Sequence, residues 1–383
     1  MSKKELLTKC HELDITFDKA HQVKRTSGNK SKTKSQLIEL INTEHMRDKT
    51  KITSIQSDVE QTFETLNVID LFCGCGGMSK GLTDAGLNVI VGIDIWDKAV
   101  ENYNKNFEHK AYCEDLTKLT PMQFNELYNK NNKTIDILVG GPPCQSFSIA
   151  GKRDKDDPRN ALFMEYVKYL DYFKPKAFIM ENVIGILSKK TATGEYVINI
   201  IMEQLNRNYN CIINKLYASD FEVPQNRRRT IIIGIRKDLN IIPTEPIPFI
   251  KSVNDRIPVK TILIPREMVE QKYYLSEKAL LGIKNKKEVN KEKGFGFGAQ
   301  ILDLDKPSYT IPARYWKDGY DALVKYSETE IRRLTITELK RIQSFPDNYI
   351  IEGTNKDVIM QIGNVVACKF AFYLGKYIIN ILQ

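Results

Sequence analysis

From Asn67 onward the apolar residues come in short runs: Val68-Ile69-Asp70-Leu71-Phe72, Val89-Ile90-Val91-Gly92-Ile93, Ile135-Asp136-Ile137-Leu138-Val139 and Ala177-Phe178-Ile179-Met180. Each has the length of a strand, is rich in β-branched and aromatic residues, and is bounded by turn formers, so each reads as a buried strand. Amphipathic stretches such as Ala99 to Phe107 and Ala161 to Phe173 lie between them and predict helices. Strand and helix in alternation predict an α/β fold of Rossmann-like type, a parallel sheet with helices on both faces. Two more strands are expected at Cys211 to Ala218 and Arg229 to Ile235, for a sheet of six or seven. In such a sheet ligands bind beyond the carboxyl ends of the strands.

The same pattern divides the chain. Residues 1–65 are polar, and between Lys24 and Lys51 eight basic residues face three acidic ones, which marks a basic N-terminal extension. One short helix is expected there, from Ser35, and one helix is not a DNA-reading helix-turn-helix. Residues 66–235 form the main α/β domain. After Arg236 the alternation stops, and residues 236–325, with Ile242-Pro243-Thr244-Glu245-Pro246 and Gly294-Phe295-Gly296-Phe297-Gly298, read as a second, smaller domain. Helical signal resumes at Glu328 and again over Val365 to Leu382, so residues 326–383 are expected to return to the first domain.

Composition narrows the function. A chain of 383 residues with 42% apolar content supports one sizeable core and a smaller lobe. No run approaches the length of a membrane span, and Met1-Ser2-Lys3-Lys4-Glu5 does not open a signal peptide, so a cytoplasmic protein with no membrane partner is expected. Its seven cysteines are odd in number and scattered, which suits free thiols. The formal charge of +9 suits a polyanionic partner, although a merely solvated basic surface gives the same figure.

The chemistry gathers at the strand ends. Asp70-Leu71-Phe72-Cys73-Gly74-Cys75-Gly76-Gly77 spans the turn from first strand to first helix, where glycines let a ligand approach the backbone. Its spacing is neither the dinucleotide fingerprint nor a P-loop, so no pyrophosphate is implied. Asp94 ends the second strand 17 residues after Gly77, in position for ribose hydroxyls, and Asp115 follows the third. Carboxylates around a nucleoside favour one without phosphates, and S-adenosylmethionine, a cationic sulfonium that the face of Phe72 attracts, is such a molecule. Cys144, after Pro142-Pro143, follows the fourth strand as a candidate nucleophile that needs help to ionise. Glu181-Asn182-Val183 ends the neighbouring fifth strand and supplies a candidate general acid. Arg227 and Arg229 point the same way at the start of the last strand. All four histidines precede these residues, which gives Cys-His hydrolysis little support. No Cys-x-x-Cys or histidine cluster offers zinc, so no metal is expected.

In this order the blocks resemble the DNA (cytosine-5) methyltransferases of bacterial restriction-modification systems, from about Asn67 to the C-terminus. Gln225-Asn226-Arg227-Arg228-Arg229, Arg333-Leu334-Thr335-Ile336-Thr337-Glu338 with Arg341 to Asp347, and Gln361-Ile362-Gly363-Asn364 complete the match. The resemblance implies S-adenosylmethionine as cofactor, S-adenosylhomocysteine as product, and Phe72, Cys75, Gly76, Gly77, Asp94, Ile95, Asp115, Leu116, Pro143, Leu162, Asn364 and Val365 around it. Asp94, Ile95 and Val365 stand where relatives often carry Glu, an aromatic residue and Ser. The resemblance further implies that Cys144 adds to C6 of a flipped-out cytosine, that Glu181 neutralises the ring, and that Arg229 or Arg227 binds the O2 edge. Residues 236–325 correspond to the target recognition domain. Gln145, Ser148, Phe297 and Thr310 are the expected contacts to double-stranded DNA, with Phe297 filling the gap left by the base. A monomer working beside a cognate restriction endonuclease is expected. Two alternatives stay open: a tRNA cytosine-5 methyltransferase of the same fold, whose Cys-Phe-Thr stretch is missing here, and a regulator that also binds its own promoter through the N-terminal arm.

Overall fold

The computed structural model describes residues 65–143, 160–191, 194–244, 255–292 and 299–383. The basic extension therefore lies outside the described residues, as do Cys144, Gln145, Ser148 and Phe297.

Residues 65–383 form one compact unit built on a seven-stranded sheet. In chain order its first half runs β1 (Asn67–Leu71), α1 (Gly77–Asp84), β2 (Asn88–Asp94), α2 (Asp97–Asn104), β3 (Lys110–Cys113), α3 (Pro121–Tyr128) and β4 (Ile137–Gly140). Then come α4 (Asn160–Phe173), β5 (Ala177–Val183), α5 (Val197–Leu205), β6 (Tyr209–Tyr217) and β7 (Arg228–Arg236). Strand order is β3-β2-β1-β4-β5-β7-β6.

Six strands run in one direction, but β7 is antiparallel to both β5 and β6. This corrects the expectation of a wholly parallel sheet. The link between β6 and β7 spans residues 218–227, too short for a covered crossover, which needs a dozen residues or more. The reversal puts the first residues of β7 at the same sheet edge as the last residues of β5, with Val183 opposite Arg229.

Because side chains alternate along each strand, the sheet buries two cores. Val68, Val139, Ile179 and Ile233 point to one face, covered by α1 and the C-terminal helix α9 (Cys368–Leu382). Ile69, Leu138, Phe178 and Ile232 point to the other, covered by α3, α4 and α5. Close packing of α1 depends on glycine: a Cβ on Gly77 would lie 2.1 Å from a Val365 methyl, and one on Gly81 2.1 Å from the Cys368 carbonyl.

The remainder, which includes the helix α6 (Glu277–Glu292), contributes a third core. Val259, Ile262, Leu302, Ile311 and Val324 pack with Leu339 and Ile342 of α7 (Ile336–Ile342) and Ile362 of α8 (Asn355–Asn364). A two-stranded ribbon of β8 (Leu323–Lys325) and β9 (Ile331–Arg333) leads into α7, so the helix expected at Glu328 begins only at Ile336. Thr335 sets that start through a capping box with Glu338. Glu338 is also fully buried against Arg332, in a bidentate pair at 2.8 and 2.9 Å. The stretch Asn355–Leu382 has the length and apolarity of a membrane span, yet it is broken between α8 and α9 and half of it is buried against the rest of the chain.

Candidate active site

A cavity of about 600 Å³ opens at the carboxyl edge of β1, β2, β4 and β5, a volume in the range of small-molecule sites. Its walls include the turn after β1, the end of β2, the Gly141-Pro142-Pro143 segment after β4, the end of β5 at Glu181, Arg227 and Arg229 at the start of β7, the Thr310, Pro312 and Ala313 stretch, and the Gly363 to Val366 junction of α8 and α9.

The turn after β1 is held in a shape few residues adopt. Phe72 and Gly74 have φ of 63° and 55°, and Gly76, the N-cap of α1, has φ of 94°. Nothing lies within 4 Å of the place a Gly74 Cβ would take, so the turn leaves open space there. Asp94 secures the turn, accepting from the Gly74 N–H at 2.8 Å with one oxygen and from the Trp96 N–H at 2.9 Å with the other. Burial raises its pKa, and those N–H groups only partly offset the rise. Asp70 lies deeper and is almost wholly buried, accepting from Ser79 Oγ at 2.6 Å. Burial pushes its carboxyl up to about 7, Asp94 adding to the effect and Ser79 opposing it.

Opposite these carboxylates stands a cationic end. Glu181 and Arg229 form an ion pair with Oε1 and Nε 2.6 Å apart, both largely buried. The Arg229 N–H does not align on the oxygen, so this is a charge contact rather than a directed hydrogen bond. Asn182, next to Glu181, donates to the Pro142 carbonyl at 3.0 Å and so ties the end of β5 to the segment preceding Cys144. Arg227 reaches the cavity wall too, but its Nη1 donates to the carbonyls of Ile311 (3.3 Å) and Gly363 (2.9 Å). Burial and the neighbouring Arg229 charge push its pKa down. Arg227 thus bolts the loops around β7 together, whereas Arg229, whose Nη1 donates to the adjacent Arg228 carbonyl at 2.8 Å, keeps its Nε at Glu181; the sequence had left the two equivalent.

The cavity gathers Phe72, Cys75, Asp94, Ile95, Pro143, Glu181, Arg227, Arg229, Thr310, Asn364 and Val365. Gly76 and Gly77 lie behind its turn as the start of α1. Three more expected cofactor residues fall outside the wall. Leu116 is buried in the sheet core, Leu162 lies on α4, and Asp115 binds its own loop through the Thr117 N–H (3.0 Å) and hydroxyl (2.7 Å), which lowers its pKa. Trp96, which the sequence reading passed over, lines the cavity beside the exposed Ile95. An aromatic side chain thus stands in the wall one position after Ile95, a signal present in the sequence.

Long-range contacts complete the site. Ser308 and Gln225 bridge in parallel, and the Ile311 N–H donates to Gln225 Oε1 at 3.0 Å, which brings Thr310 to the cavity. From the far side, Tyr349 donates to the Cys75 carbonyl at 2.5 Å and buttresses the glycine turn. These features suit a cationic nucleoside better than a nucleotide, because the Gly74 N–H already serves Asp94 rather than standing free for phosphate, and the Asp70 and Asp94 carboxyls disfavour an anion.

The profile of the C-5 cytosine-specific DNA methylases matches residues 66–380. Among curated proteins, the chain is 32% identical to the Type II methyltransferase M.SsoII of Shigella sonnei over 318 residues, 82% of this chain and 80% of that one. It is 33% identical to M.FnuDI of Fusobacterium nucleatum over 346 residues, 82% and 94% of the two chains. The match to M.DdeI of Desulfomicrobium norvegicum is 38% identical but covers 56% of this chain and about half, 48%, of that relative. Two solved structures share the fold: a Spodoptera frugiperda DNMT2 variant (TM-score 0.66, 22% identity, 82% of this chain and 100% of that one) and the Entamoeba histolytica methyltransferase EhMeth (0.67, 21%, 84% and 100%). With its ordered blocks, its mostly parallel sheet and a sequence match running almost from the first strand to the last helix, the chain belongs to the C-5 cytosine-specific DNA methylase family.

Proposed function

We propose that this enzyme methylates C5 of a flipped-out cytosine in a specific duplex DNA site, with S-adenosylmethionine as donor and Cys144 as nucleophile, as the modification arm of a Type II restriction-modification system. The observation that carries the reading is the Glu181–Arg229 pair facing the same cavity as Pro142 and Pro143, the two residues before Cys144.

Phe72, Asp94, Trp96 and Asn364 would hold the cofactor, whose positive charge suits the carboxylate end of the cavity. When bound it supplies the electrophilic methyl group that C5 accepts. The protein's part is to make C5 nucleophilic. Cytosine is electron-poor at C6, so the Cys144 thiolate adds there and the electron pair moves toward C5 and N3. Glu181, sharing a proton with N3, neutralises the charge that develops on the ring. Arg229 takes the O2 edge, since its Nε lies against Glu181, whereas Arg227 reaches away to the carbonyls of Ile311 and Gly363. Loss of the C5 proton to water lets that electron pair form the C5–C6 double bond, which breaks the Sγ–C6 bond and expels the Cys144 thiolate, while the proton shared with N3 returns to Glu181. Gln145, Ser148, Thr310 and Phe297 are the contacts proposed for the duplex, with Phe297 filling the space the base vacates.

Bisulfite sequencing of DNA from cells expressing the protein should find 5-methylcytosine in one recurrent sequence context. Cys144→Ala should abolish methyl transfer while DNA binding persists. Label entering tRNA but not duplex DNA, or substantial turnover by the alanine variant, defeats the reading.

A further inference from the structure

Arg228 precedes the cavity's Arg229 and lies exposed on the opposite face of β7. Its guanidinium lies over the ring of Tyr217, its register partner on β6, 5.3 Å from the centroid. A second guanidinium, that of Arg256, lies 5.7 Å from the same centroid and pairs with Asp220 at 2.6 Å. Arg228 has no such partner: among the described residues no carboxylate oxygen comes within 4.0 Å of it. Lys215, two residues before Tyr217 and on the same side of β6, is also exposed.

An exposed arginine unpaired with acid is ordinarily a mobile, solvated charge. Here the flat guanidinium rests on an aromatic ring, which restricts its motion and leaves N–H donors in a fork that matches phosphate oxygens. Its place matters as much as its posture. Adjacent Cα atoms are about 3.8 Å apart, so the backbone of Arg228 lies beside the rim of the cavity in which Glu181 and Arg229 meet, while its side chain leaves from the other face of the strand. A duplex that delivers a base to that cavity carries its flanking phosphates across the same rim.

We propose that Arg228, seated on Tyr217 with Arg256 beside it, contacts a DNA backbone phosphate flanking the target base. The inference rests on the duplex-methylating function proposed above. A phosphate contact fixes register without reading sequence, so it leaves a thermodynamic mark that a base contact does not.

The test compares the full-length wild type with R228Q, R228K and Y217L. Fluorescence anisotropy on a mixed-sequence duplex and on the duplex that becomes methylated is measured across a salt series. R228Q should flatten the slope of log affinity against log salt by about one, the counterions of a single phosphate. It should weaken both duplexes equally, by roughly two- to fivefold, the scale of an exposed charge pair. R228K should keep the wild-type slope because the charge remains, and Y217L should fall between, with the charge present but unseated. An unchanged slope in R228Q, or a loss confined to the methylated duplex, overturns the phosphate assignment. A wild type that binds and methylates no duplex overturns the functional reading and this inference with it; one that methylates normally while R228Q keeps its slope overturns this inference alone.

Discussion

Asp70 offers the sharpest physical test, because it is a buried acid whose hydrogen bonds come from Ser79, with a second carboxylate nearby. Burial pushes its pKa from 3.8 up to about 7 in the folded protein. In the unfolded chain the group ionises near its ordinary value. As pH rises from about 4 to 7, the unfolded state releases this proton while the native state still holds it, so native stability falls through that window and levels off above it. Three pKa units at about 1.4 kcal/mol each make the loss roughly 4 kcal/mol. Asp70→Asn keeps an oxygen for Ser79 and removes the charge. The variant should gain on the wild type by roughly that amount between pH 4 and pH 8, read as the difference in urea-unfolding free energy at each pH. A cationic ligand in the cavity favours the ionised acid, so S-adenosylmethionine should bind the wild type more tightly as pH rises through 7, and the Asn variant should show little of this trend. A stability difference between variant and wild type that does not change with pH would refute the argument, since it would mean that Asp70 is charged in the fold.

Three further expectations concern parts that hold the site. Glu338→Gln leaves the Arg332 guanidinium buried without its countercharge and should cost about 3–5 kcal/mol in urea unfolding, whereas an R332M/E338Q double variant, which removes the stranded cation and keeps a side-chain oxygen for the capping box, should cost less than the single change. Tyr349→Phe removes the donor to the Cys75 carbonyl and should weaken S-adenosylmethionine binding about fivefold by calorimetry, the worth of one hydrogen bond, with DNA affinity unchanged. Asn182→Ala frees the Pro142 carbonyl and with it the segment leading to Cys144, so kcat should fall about a hundredfold, the scale of a misplaced reacting group, while the affinity for duplex DNA holds. Equal loss of kcat and DNA affinity in that variant would argue for general unfolding rather than mispositioning.

The sequence by itself determined the α/β architecture, because runs such as Val68-Ile69 and Ile137-Leu138-Val139 bury themselves as strands whatever lies around them. It also determined which blocks meet, since carboxylates and turn glycines at strand ends must fall on one edge of a sheet. Three matters were decided only by the tertiary structure. The direction of β7 depends on the short link from β6 rather than on the apolar pattern, which is the same for either direction. The distinction between Arg227 and Arg229 depends on which partners come within reach: one meets the carbonyls of Ile311 and Gly363, far away in sequence, and the other meets Glu181. Finally, the glycine turn is braced by Tyr349, 274 residues beyond the Cys75 carbonyl it holds. Local pattern carries no information about such a contact, because it arises only when the third core brings the C-terminal segment back against the first strand's turn.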